Sequence, residues 1–234
     1  MAQQQRTSGS TWGLGDVALW FVVAQVSSLL GASLLLSVTG HEPGATLPLG
    51  LVALLQVPLW VGYLAGPLLT TSTKGRGPVA ELRARITAAD VLPGLLLGVA
   101  AQLVAIPALY HLVVLRFVDG DLSGPAQDLV DRADDPLGVL LLVLVAGVGA
   151  PLVEEVFYRG FLLRGLARRL GDGPAVVVSS VVFAAVHLQG LQFPALMLFG
   201  LLAGWLTVRT GRLGMAWAAH VGFNGATLAV LLLS

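Results

Sequence analysis

The stretch GAPLVEEVFYRG, residues 149–160, decides the fold. It follows an unbroken run of 11 apolar or glycine residues, Gly138 to Val148, and then places two adjacent glutamates, Glu154 and Glu155, and Arg159 within six positions. A charged side chain at the centre of a bilayer costs roughly 2.5–3.5 kcal/mol on insertion scales. Three charges inside so apolar a segment therefore require neutralisation, a polar interior, or both.

Composition identifies the solvent. The 234 residues are 56% hydrophobic and 11% charged, with a mean hydropathy of +0.86. A soluble domain is about 25% charged, so a chain this apolar turns most of its outer surface to lipid. Its formal net charge is zero, which gives no basic character to attract nucleic acid. There is no cysteine, which excludes disulfides, thiolate nucleophiles and cysteine metal sites.

A spanning helix needs about 20 mostly apolar residues. That length predicts an all-α polytopic bundle of about seven spans, near 16–38, 47–70, 90–117, 137–164, 174–189, 193–210 and 213–233. The fifth is short, the fourth has the pattern to continue as an interfacial helix to Leu170, and the long 90–117 stretch leaves room for an eighth. A barrel is excluded, because its strands alternate with period two. Three regions follow: a polar tail over 1–15, N-terminal transmembrane helices over 16–136, and a core over 137–234 that holds the costly polar residues. Residues 17–38 are too long for a signal-peptide core and read as a retained span.

Basic loops face the cytoplasm. Lys74, Arg76, Arg83 and Arg85 place their loop there, and counting spans puts Arg164, Arg168, Arg169, Arg209 and Arg212 on the same side. The loop 118–136, with six aspartates and one arginine, falls outside. The N-terminus is then cytoplasmic, the C-terminus external, and the expected location is integral to a membrane, a bacterial cell membrane. Gly94/Gly98 and Gly200/Gly204 are small-xxx-small pairs, read as contacts within one bundle. Pro151 is expected to kink its helix and open backbone groups to a cavity.

The costly polar residues within spans are Glu154, Glu155, Arg159, His187, His220 and, less so, Asn224. His111 has no polar neighbour at helical spacing and reads as interfacial; Asp16 and Asp90 sit at helix starts, where acids complement the dipole. Glu155 and Arg159 are i, i+4 with the acid first, the favourable order for an ion pair. Glu154 points about 100° away and has no partner in its own helix. Phe183 and His187 are also i, i+4, as are His220 and Asn224. At about 1.5 Å per residue, three helices bring Glu154, His187, His220 and Asn224 to similar depth. A glutamate beside a histidine can hold and deprotonate water, and a histidine with an asparagine can donate to an oxyanion. Those groups suffice to hydrolyse an amide without a covalent intermediate. Glutamate and two histidines, Glu154, His187 and His220, are also a known zinc ligand set, although the HExxH helix signature is absent.

The residues EEVFYR (154–159), FAAVH (183–187) and HVGFN (220–224) resemble, in order and separation, the EExxxR, FxxxH and HxxxN motifs of the CAAX-protease and bacteriocin-processing family of intramembrane peptidases. The resemblance covers about residues 137–233. It implies a glutamate-type endopeptidase in which Glu154 and His187 activate water, His220 and Asn224 form the oxyanion hole, and Glu155, Arg159 and Phe183 support the site. It implies no required metal, with zinc as the alternative cofactor, and a membrane-associated peptide or protein as substrate. A non-catalytic membrane scaffold or immunity factor is the competing expectation from another class, because buried polar networks also serve structure alone. A proton relay or transporter would show inverted repeats, and the two halves of the chain show no such symmetry.

Overall fold

A computed structural model describes residues 10–42, 44–117 and 123–234. Part of the polar tail (residues 1–9, with Arg6) and part of the acidic loop (118–122, with Asp119 and Asp121) lie outside the described residues. The described chain is helical throughout, with no strand among those residues.

Among the described residues, six helices are long and apolar enough to cross a membrane: α1 (Leu14–Thr39), α2 (Leu49–Lys74), α3 (Ala88–Arg116), α5 (Pro136–Leu170), α7 (Phe193–Thr210) and α8 (Gly214–Leu233). A short α4 (Gly124–Val130) lies in the acidic loop, a single turn Pro78–Glu81 lies in the basic loop, and α6 (Asp172–Val186) is apolar but has only 15 residues. The expectation of about seven spans thus resolves into six full-length helices and one short one. The 90–117 stretch holds no eighth span. Helix α3 runs on through a π segment (Ala101–Ala105) to Leu112 and closes in a 3-10 turn, without a connection that could reverse the chain.

Local chemistry sets the ends. Asp16 accepts the N–H of Gly13 at 3.0 Å, and Asp90 accepts the N–H of Thr87 at 2.9 Å. Both acids thereby close the first turns of α1 and α3, as side-chain caps do. Helices α1 and α7 stop at Gly40 and Gly211, with φ of 71° and 69°, a left-handed geometry that glycine adopts without penalty. Helix α5 is 35 residues long, about 52 Å at 1.5 Å per residue. That exceeds the roughly 30 Å hydrocarbon layer. Its last turns, LRGLARRL, bury Leu163 and Leu166 and expose Arg168 and Arg169, continuing the span as an amphipathic segment.

Small residues let the helices close up. A Cβ on Gly98 would sit 1.9 Å from the Ala219 carbonyl oxygen, and one on Gly94 would sit 2.6 Å from the Ala218 side chain, so both glycines seat α3 against α8. Gly200 and Gly204 seat α7 against Ser180 and Val176 of α6. These contacts within one bundle are the use expected of both pairs. Helix α1 buries only Val17 and Ala24 and exposes Leu19, Val22, Leu29, Leu30 and Leu34, a lipid-facing surface. Inside, an aromatic column runs from Trp12 and Phe161 through Phe157, Tyr63 and Tyr158 to Phe183, Phe199 and Phe223. The polar cluster is set beside this column.

Loops expected on the cytoplasmic side meet at one end. Glu81 accepts from the Trp12 indole at 3.1 Å, from the Arg76 N–H and guanidinium, and from Arg168 at 2.7 Å. Arg212 grips both oxygens of Asp90. Burial alone would raise the Glu81 carboxyl, but these donors and the Arg168 charge hold it down at about 2.

Candidate active site

Helix α5 departs from α geometry on both sides of Pro151, through π segments at Val143–Gly149 and Glu155–Leu162. The proline explains the first. It has no N–H and its ring crowds the preceding turn, and single-turn π segments commonly accommodate such disruptions near functional sites. In the α register Ala146 would receive the N–H of Ala150, but that group donates to the Val145 carbonyl. In the π register its donor would be Pro151, which has none. The Ala146 carbonyl instead accepts the Asn224 side-chain amide at 2.8 Å. The expected opening of backbone groups to a cavity thus falls on Ala146, and Asn224 of α8 uses it.

The second π segment carries the charges. Glu155 and Arg159 are each 1% exposed, with Arg159 Nη1 3.1 Å from Glu155 Oε1. The pair read from spacing is present, but Glu155 is not shared with Arg159 alone. His220 Nδ1 lies 2.9 Å from the same oxygen. Arg159 also donates to the Gly200 carbonyl at 3.4 Å and lies over the Phe183 ring at 4.4 Å, a cation–π distance. The same ring meets two histidines at steep interplanar angles, His187 at 4.8 Å and His220 at 5.8 Å between centroids.

Glu154 turns the other way, into a cavity. Its Oε2 is 3.7 Å from His220 Nε2, within ion-pair reach but longer than a direct hydrogen bond. His220 therefore spans the two glutamates, with one ring nitrogen on each. His187 is the last residue around α6 before the chain turns. Its Nδ1 is 2.7 Å from the Phe183 carbonyl. A carbonyl only accepts, so Nδ1 donates, and the neutral ring keeps Nε2 as its acceptor. Helix α6 is about 22 Å long by rise, shorter than the roughly 30 Å hydrocarbon layer, and it ends at the cavity. Leu188 follows with φ 55°, a left-handed conformation that costs a branched residue roughly 1–2 kcal/mol and turns the chain abruptly after the histidine.

One cavity of about 280 Å³ joins these groups: Glu154, His187, His220 and Asn224 all line it. Glu154 also borders a smaller apolar space of about 110 Å³ between α2 and α5, with Gln56. Ser179 and Ser180 donate to the Val176 carbonyl and do not line the cavity. His111 is exposed on α3, away from the cluster. Among the described residues no three His, Asp or Glu side chains meet at metal-ligand spacing, and Glu154, His187 and His220 do not form such a group.

Sequence reasoning passed over several neighbours. Gln102, in the π segment of α3, and Tyr110 and Gln189 also line the cavity; nothing in the sequence marks a π segment. Beside Glu154, Tyr63 and Tyr158 join hydroxyls at 2.6 Å, and Gln25 donates to Tyr63 at 2.9 Å. That chain ties α1 and α2 to α5, and no spacing within one helix could have revealed it.

Residues 136–226 match the family described as type II CAAX prenyl endopeptidase, Rce1-like. The matched segment runs from the start of α5 into α8 and holds all seven side chains of the cluster from Glu154 to Asn224. This part of the chain, under half of its length, is similar to that endopeptidase family, and the bundle around it is that of a membrane-embedded protein. No curated protein and no solved structure matches the chain.

Proposed function

We propose that the protein is an intramembrane glutamate-type endopeptidase that hydrolyses a peptide bond of a membrane-associated protein or peptide. The observation that carries this reading is the convergence of Glu154, His187, His220 and Asn224, from three helices, on one cavity of about 280 Å³. A scaffold would need no accessible face on any of them.

In the proposed mechanism, a water between Glu154 and Nε2 of His187 gives up a proton as its oxygen attacks the scissile carbonyl. The carbon–oxygen double bond opens and the negative charge moves to that oxygen. His220 Nε2–H and the second Nδ2–H of Asn224 donate to it, with Asn224 steadied by Ala146 and His220 by Glu155. The retained proton passes to the leaving nitrogen as the carbon–nitrogen bond breaks, leaving a carboxylic acid and an amine with no covalent enzyme intermediate. Two carboxylates and Arg159 leave one negative charge in the cluster, which a proton on His220 balances while making Nε2 a donor.

Proteoliposomes of the purified chain, incubated with membrane-anchored peptides and read by mass spectrometry of the fragments, test the reading. Cleavage that persists after chelation, with no stoichiometric metal by elemental analysis, supports the metal-free mechanism. A stoichiometric zinc on which cleavage depends moves the chemistry to the zinc alternative. A folded protein that cleaves no member of a broad panel of such peptides leaves the scaffold reading in its place.

A further inference from the structure

A second concave site lies at the basic end, far from the cavity. It is a groove of about 590 Å³ walled by Arg76, Arg83 and Arg85, with Pro78, Val79 and Gly211. Arg76 is engaged by Glu81. Arg83 and Arg85 are exposed, and among the described residues neither forms an ion pair. In a chain of zero net charge, two adjacent guanidiniums without carboxylates form a local excess.

The backbone holds these arginines in place. Arg83 has φ 51°, a left-handed conformation that is unfavourable for a long side chain. It is maintained because the Arg83 carbonyl accepts the N–H groups of Leu213 and Arg85, and the Arg85 carbonyl accepts the N–H of Gly214. The loop is thereby stitched to the start of α8. A third guanidinium lies close by. Gly160, one turn before Arg164 on α5, packs against Leu82, and Nε and Nη2 of Arg164 are buried without an acceptor among the described residues. Buried donors of that kind are rare and costly. Val79, which lines the groove, and Ile86, next to Arg85 in the chain, are exposed apolar side chains, and the groove lies where the spanning helices α2 and α7 end and α3 begins.

We propose that this groove binds a phosphate-class anion, and that its source is the headgroup of an anionic phospholipid. Arginine forks match phosphate oxygens in pairs, each basic residue near an anionic surface adds to lipid attraction, and the exposed Val79 and Ile86 suit an occupant with acyl chains rather than a free ion. The inference does not depend on the peptidase reading.

The test uses the full chain in a neutral detergent, with binding read as the thermal shift on titrating phosphatidylglycerol, phosphatidylcholine or inorganic phosphate. Phosphatidylglycerol is expected to raise the melting temperature of the wild type saturably, and Arg83→Gln/Arg85→Gln to weaken its apparent affinity about thirtyfold. Phosphatidylcholine is expected to produce no saturable shift. Arg209→Gln removes an exposed charge outside the groove and is expected to bind like the wild type. Equal affinity in wild type and double variant, or equal losses in the double variant and Arg209→Gln, overturns the site. A full shift from inorganic phosphate supports the anion site and overturns lipid as its source. Should the double variant fail to fold, Arg85→Gln alone, whose side chain forms no ion pair among the described residues, serves in its place and is expected to lose about fivefold.

Discussion

His220 spans the two glutamates of α5, with Nδ1 2.9 Å from Glu155 Oε1 and Nε2 3.7 Å from Glu154 Oε2. One ring thereby links the fully buried ion pair of Glu155 and Arg159 to the carboxylate that faces the cavity. The support and the proposed chemistry are mechanically coupled through that imidazole.

That coupling predicts how the buried pair responds to truncation. Removing one partner of a buried ion pair costs roughly 3–5 kcal/mol, because the other charge is left uncompensated. Arg159→Ala is expected to lower unfolding stability by about that amount and to reduce cleavage as well. Glu155→Gln/Arg159→Met is expected to recover much of the stability but not the activity, since His220 loses its charged anchor. Denaturant melts in detergent alongside cleavage rates separate the two effects.

Asn224 is expected to act on rate more than on stability. Losing one oxyanion donor costs about 10²–10³ in kcat, so Asn224→Ala should show that loss with KM little changed. Its hydrogen bond to Ala146 is one neutral contact, worth about 1 kcal/mol of stability.

Pro151 is expected to matter through the same carbonyl. Pro151→Ala restores an N–H that competes with Asn224 for Ala146. The variant should melt at a higher temperature, because a regular turn returns, yet cleave several-fold more slowly. A parallel rise or fall of both quantities would contradict the link.

The basic end should be acid-sensitive in a defined window. Glu81 is held at about 2 in the folded chain against an ordinary value of 4.5. A depressed carboxyl contributes its full stabilisation above its unfolded value and loses it as pH falls toward the folded value. The melting temperature of the wild type is expected to gain an acid-dependent loss between about pH 4.5 and 2 that Glu81→Gln lacks, the variant being less stable at neutral pH.

The contrast between Glu155 and Ala146 shows what was legible in the sequence. The i, i+4 spacing exposed the Glu155–Arg159 pair, because both side chains belong to one helix and the period alone sets their face. Hydropathy likewise gave the spans, the shortness of α6 included. The contact of Glu155 with His220 joins α5 to α8, and the release of the Ala146 carbonyl depends on a π register. Periodicity is silent on both, although Pro151 gave a partial signal for the second. The Tyr63–Tyr158 hydroxyl pair and the place of Gln102 on the cavity wall were hidden for the same reason: each depends on how two helices face one another.

The most direct test of the central claim is the cleavage rate of Glu154→Gln, reconstituted beside the wild type after its melting curve has been matched. The substitution keeps the shape of the side chain and removes its ability to take a proton. A positioned base contributes about 10²–10⁴ in rate, so the account predicts a loss of at least about a hundredfold with the fold intact. Wild-type turnover in folded Glu154→Gln would contradict it.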